Sequence, residues 1–238
     1  MHPISPLLQF AEERLQVMAL LFMAAVYALK IAWIFRYPAF RDRQARSGSP
    51  DSSPERAARY SLLAIAMPWT MGSTRRHPLL YAQFAVFHIG VAASIAMSFL
   101  IPYAPGLIAG RAALLALQSI FAAALAAGVA RLIRRLADPY MRAISSPDDY
   151  FSMALLLVWL FLSLLAAPNH PAAGEGLLLA YFFLTAFFLV YVPFSKISHY
   201  LYYPFARWYL GRTLGHRGVM PLKRDVSSFN FKSETGRI

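Results

Sequence analysis

Five apolar runs, each about as long as a bilayer's hydrocarbon core is thick, constrain this chain more than anything else in it. An α-helix rises 1.5 Å per residue, so about 20 apolar residues cross a core of about 30 Å. Residues 15–35, 78–101, 112–133, 150–167 and 177–203 meet that requirement. The first run carries Lys30 near one end, where the aliphatic stem can lie on apolar surface while the ammonium reaches water. The fourth is short but uncharged. A sixth stretch, 60–71, is apolar, shorter still and interrupted by Pro68, which suits an interfacial segment better than a span. Composition agrees: 14% of residues are charged and the mean hydropathy is +0.47, against roughly a quarter charged in soluble domains. The expected fold is an all-α integral membrane protein, a bundle of five transmembrane helices.

The net charge of +12 would suggest nucleic acid in a soluble chain. Here the cations alternate between loops, so no nucleic-acid partner is expected. Arg36, Arg41, Arg43, Arg46, Arg56, Arg59, Arg75 and Arg76 follow the first run, and Arg134, Arg135 and Arg142 follow the third. Arg207, Arg212, Arg217, Lys223, Arg224, Lys232 and Arg237 lie beyond the fifth. The second loop has only Arg111 and the fourth has no Lys or Arg. Basic loops stay on the cytoplasmic face. The expected topology is therefore N-terminus outside and C-terminus cytoplasmic, in the inner (plasma) membrane. Residues 1–14 contain Glu12 and Glu13 and no basic stretch, so the first helix is expected to act as an uncleaved insertion signal. Residues 1–210 are expected to form the membrane domain and 211–238 a cytoplasmic tail, with 47–54 (SGSPDSSP) a flexible loop. The chain has no cysteine, which excludes a thiol nucleophile, an iron–sulfur cluster held by this chain and covalent c-type haem.

Ionisable side chains inside apolar runs are costly and are functional candidates for that reason. His88 lies in the second run and His199 in the last turns of the fifth. The two runs cross in opposite directions, so both imidazoles reach one depth in the inner half if the helices are neighbours. Two neutral imidazoles from facing helices are what a bis-histidine haem b requires. Gly90, Ala92, Ala93 and Ser94 leave room for a flat cofactor or for close helix approach. A pair of histidines bonded only to neighbouring helices fits the same pattern.

The stretches Phe87-His88-Ile89-Gly90-Val91 and Pro193-Phe194-Ser195-Lys196-Ile197-Ser198-His199, with Pro204 beyond, resemble two motifs of respiratory nitrate reductase gamma subunits. Those motifs are Phe-His-Val-Gly and Pro-Phe-(Ser/Thr)-(Arg/Lys)-x-x-His…Pro. The resemblance covers the membrane portion, with specific residues matching only in the second and fifth runs. It implies a membrane cytochrome b that exchanges electrons between the quinone pool and an iron–sulfur partner. The same fold serves sulfite-reduction and heterodisulfide-reductase-like complexes, so the terminal substrate does not follow. Family members carry two b haems. The positions that would ligate the second, outer haem are Ser98 and Tyr181 here. The resemblance thus implies one haem, held by His88 and His199.

His77 and His216 form a weaker candidate second pair at the inner surface, since His77 falls on the same helical face as His88. His2 and His170 read as solvated loop residues. Lys196 and Arg76 are the candidate partners of haem propionates, with Arg75 and Arg207 behind them; membrane anchoring accounts for the same charges. Tyr81, Gln83, Ser94 and Ser98 are polar residues of the second run near the expected haem, and none by itself places a quinone site. The function expected is a haem b subunit of a quinone-linked respiratory oxidoreductase, not catalytic alone, with membrane lipid and a cytoplasmic iron–sulfur subunit as partners. The alternatives are a haem-free anchor or a non-redox transporter or scaffold. Against the transporter stand the lack of an internal repeat and of an acidic residue inside a span.

Overall fold

The computed structural model describes residues 4–37, 42–171 and 174–221. Among the described residues, every regular element is helical. The helices are α1 (Pro6–Arg36), α2 (Pro54–Leu63), α3 (Gly72–Arg76), α4 (Pro78–Tyr103), α5 (Arg111–Ala137), α6 (Pro139–Ala143), α7 (Pro147–Ala166), α8 (Gly176–Tyr191) and α9 (His199–His216). Proline opens α1, α2, α4, α6 and α7. Its fixed φ suits a first turn, where its missing N–H is not needed. Among the described residues, five helical stretches are long and apolar enough to cross a membrane: α1, α4, α5, α7 and Gly176–Phe194.

The ends of the runs differ from expectation in instructive ways. α1 begins at Pro6 rather than at residue 15, because Ser5 caps it, accepting a hydrogen bond from the Leu8 N–H at 3.1 Å. Its second turn, Phe10–Arg14, is a π-turn. Glu12 therefore lies inside a helix, and it is buried. The expected lack of an acidic residue within a span is corrected, and that argument against a transporter falls. α5 runs on through Arg131, Arg134 and Arg135, which are good helix formers and favoured at a C-terminus; it stops where Pro139 disfavours a helical Asp138. α7 starts at Pro147 with a capping box between Ser146 and Asp149.

The fifth run does not continue to residue 203. α8 ends at Tyr191, two short 3₁₀ turns follow (Val192–Phe194 and Lys196–Ser198), and helix resumes only at His199. Pro193 removes a backbone donor, and Ser195 between the turns is extended at φ −100°, ψ 171°.

The chain divides into two compact units. The first comprises Met1–Tyr37 and Met71–Leu201. Here α4 packs on α5, α5 on α7, α7 on α8 and α8 on α1. Close approach is set by small residues: a Cβ added at Gly90 would collide with Ala124, and one at Gly128 would lie 2.6 Å from Leu157 and 2.7 Å from Phe87. Large apolar side chains face outward, including Leu29, Trp33, Phe35 and Leu79, a surface suited to lipid.

The second unit comprises Pro38–Thr70 and Tyr202–Ile238. Gly211 and Gly215 of α9 press on Ala57, Ala58 and Ser61 of α2. Tyr203 Oη donates to the Leu62 carbonyl and Arg207 Nε to the Ser61 carbonyl, both at 3.1 Å. Gly48 N–H donates to the Arg217 carbonyl at 2.9 Å. Arg217 Nε donates to Asp42 Oδ2 at 2.6 Å, and that bond holds the Asp42 carboxyl below the usual range. Residues 47–49 are joined by backbone bonds to Arg217 and Gly218, so 211–221 packs within this unit. The rest of the expected tail, 222–238, lies outside the described residues, as does His2.

Candidate functional site

The strongest candidate site is built around His88 of α4 and the first residue of α9, His199. Helical rise places His88 about 15 Å along α4 from Pro78. The depth of His199 comes from its neighbour: Tyr200 Oη lies 2.5 Å from Tyr27 Oη of α1, and Tyr27 is about 14 Å from Arg36 by the same rise. Two separate helices therefore put both histidines at one depth, in the half of the first unit that ends in the arginines.

The two rings lie with centroids 6.4 Å apart and planes at 83°, an edge-on arrangement. Two imidazoles trans on one metal, with bonds of about 2.0 Å and about 1.1 Å from nitrogen to ring centre, have centroids about 6 Å apart. The second nitrogen of each ring is also accounted for. His88 Nδ1 donates to the Phe84 carbonyl at 2.7 Å, and His199 Nδ1 to the Lys196 carbonyl at 3.0 Å. A carbonyl only accepts, so each Nδ1 carries the proton and each Nε2 keeps its lone pair. Backbone carbonyls behind metal-binding imidazoles orient the ring in this way. Both rings are exposed. At this depth a bare acceptor nitrogen lacks water and is left without a partner.

Among the described residues, no cluster of three or more His, Asp or Glu could hold a metal ion. Two imidazoles with no further His, Asp or Glu ligand suit a metal whose other positions its own macrocycle fills, so His88 and His199 would be the residues to hold a haem. Phe84 lies beside His88 with ring centroids 4.1 Å apart.

Lys196 does not point its ammonium at the pair. Nζ donates to Asp149 Oδ2 at 2.6 Å and to Ser146 Oγ at 2.7 Å, and its backbone N–H donates to Asp148 Oδ2 at 3.1 Å. Asp148 is held in turn by Tyr191 Oη at 2.6 Å. The segment before His199 is thereby fastened to the first turn of α7. Lys30 fastens it from the other side: Nζ donates to the Pro193 carbonyl and sits 5.7 Å from the centre of the Phe194 ring. Arg75 and Arg76 are exposed at the end of α3, and Arg207 donates to Ser61 in the second unit. His77 is exposed before α4 in the first unit and His216 exposed at the end of α9 in the second, so neither unit brings that pair together.

The opposite half of the first unit is filled. Tyr181 is fully buried and its Oη donates to the Ser94 carbonyl at 2.6 Å. Ser98 Oγ donates to the Ile95 carbonyl at 2.7 Å. The Ser94 and Ser163 hydroxyls bond to each other, Trp159 Nε1 donates to Thr185 Oγ1 at 2.8 Å, and Gln16 Nε2 donates to the Phe182 carbonyl at 2.8 Å. Phe121, Met97, Leu160 and Phe182 close the remaining space and are fully buried.

The signals that sequence reasoning missed here are backbone carbonyls and the contacts of Tyr27 and Lys30, none of which follows a local spacing. Compared with family models, curated proteins and solved structures, the chain matches none of them.

Proposed function

We propose that this chain is the haem b membrane subunit of a quinone-linked respiratory oxidoreductase, with His88 and His199 as the axial ligands. The observation that carries this reading is the pair of rings 6.4 Å apart, each with Nδ1 tied back to a backbone carbonyl. Haem held this way supplies reversible one-electron chemistry, which lets a two-electron quinol and a one-electron iron–sulfur centre exchange electrons. The chain's own residues orient the imidazoles, pack Phe84 and Phe87 beside His88, and fix His199 through the Lys196–Asp149 pair. The resemblance to nitrate reductase gamma subunits points the same way, with N-terminus outside and an iron–sulfur partner on the basic, cytoplasmic face. The packed half around Tyr181 supports a single haem.

The test is a dithionite-reduced minus oxidised visible spectrum of the purified protein with pyridine haemochrome quantification, on wild type, His88→Ala and His199→Ala. One b-type haem per chain, lost in both variants, is the expected result. A spectrum unchanged in either variant removes that ligand assignment. Protein purified with its partners and free of haem would leave the anchor and transporter readings.

A further inference from the structure

A second feature of the first unit lies at its basic end and uses none of the residues assigned to the histidine site. At the basic end, a cavity of about 230 Å³ is lined by Arg131, Arg134 and Arg135 of α5, Gln83 of α4, Met141 of α6 and Met153 of α7, among others. The arginines stand at i, i+3 and i+4, on one helical face. Like charges at that spacing repel, so the cluster is unfavourable unless an anion joins it.

The nearby carboxylates do not neutralise it. Asp149 lies 3.7 Å from Arg135 but is shared with Lys196 at 2.6 Å. Asp148 is taken by Tyr191 and the Lys196 N–H. Asp138 accepts from the Tyr140 and Met141 N–H groups and caps α6. Arg135 also donates to Ser145 Oγ at 2.6 Å. Arg131, half-buried, and Arg134, exposed, have no hydrogen-bond or ion-pair partner among the described residues.

We infer that this cavity binds a phosphate group through Arg131 and Arg134, as presented by the headgroup of an anionic phospholipid or by a soluble phosphate. Planar guanidiniums bind phosphate oxygens in pairs, and Gln83 adds an amide donor. Met141 and Met153 give the cavity apolar walls, and Tyr140 beside it is 85% exposed, an arrangement that belongs at a membrane–water boundary. Basic pockets between helices near this boundary are where anionic headgroups lodge.

The inference is independent of the haem, and its test reads lipid rather than colour. Thermal unfolding of the full chain in neutral detergent is followed with phosphatidylglycerol, phosphatidylcholine or inorganic phosphate, on wild type, Arg131→Gln and Arg134→Gln. Phosphatidylglycerol is expected to raise the wild-type Tm by about 5 °C at saturation, with no comparable rise from phosphatidylcholine. Each variant loses most of that rise while its lipid-free Tm stays level or climbs, because a repulsion has been removed. A full rise from inorganic phosphate alone assigns the site to a soluble ligand. Equal response to both lipids with none to phosphate, or an undiminished response in both variants, overturns the site. Native mass spectrometry of wild type and variants supplies the second readout, retained phospholipid per chain.

Discussion

Lys196 acts twice on the candidate site, and neither action is the propionate contact expected of it. Its carbonyl accepts the His199 Nδ1 proton, and its ammonium locks that carbonyl in place by gripping Asp149. The lysine side chain is 55% exposed, so the ion pair is worth at most about 1 kcal/mol. Lys196→Ala is therefore expected to keep the b-type spectrum but to release haem to apomyoglobin about five-fold faster, and to shift the midpoint potential. Lys196→Arg restores both values by restoring the ion pair. Identical transfer rates and potentials in Lys196→Ala and wild type would reduce the contact to simple loop anchoring. At this scale the nearness of His88 and His199 was legible, because both fall in apolar runs that cross in opposite directions. The carbonyls behind the rings were not, since a backbone group has no letter of its own.

Helices were legible where physics is additive and hidden where it is local. Five runs of apolar residues announce five spans regardless of neighbours. Their ends depend on single groups: Ser5 extends α1 outward to Pro6, and Pro193 with the extended Ser195 breaks the fifth run just before the histidine it carries. That break lets His199 start a new helix. The contact between α2 and α9 in the second unit was also hidden, because a Gly-x-x-x-Gly face is informative only once its partner is known. A Cβ at Gly211 would stand 2.7 Å from the Ala57 carbonyl oxygen and 2.8 Å from Ser61 Cβ. Gly211→Val is expected to destabilise this contact by about 1–3 kcal/mol, seen as faster proteolysis between residues 42 and 70 with an unchanged haem spectrum. Resistance equal to wild type would show that the helices can separate without loss.

For the molecule as a whole, the division into two units was not legible, because residues 38–70 and the C-terminal stretch are far apart in sequence and neither is apolar throughout. The proposed orientation in the membrane rests on the arginines, and the cysteine-free chain makes it easy to check. Single cysteines placed at Asn169 and at Gly106 are expected to react with a membrane-impermeant maleimide on intact cells, whereas cysteines at Ser47 and Ser145 react only after lysis. The reverse pattern would invert the proposed topology.

The solid packing around Tyr181 has a consequence for energy conservation. Moving one elementary charge across a membrane held at 100 mV involves about 2.3 kcal/mol. An electron entering at the basic end and leaving there never crosses that field, and a half-thickness of close-packed aromatic and aliphatic side chains acts as the insulator that keeps it from doing so. Under the proposed function, a haem held only at the His88–His199 depth would exchange electrons with quinone at nearly the same rate whether the membrane is charged or discharged, and turnover would respond to the redox state of the pool rather than to the membrane voltage.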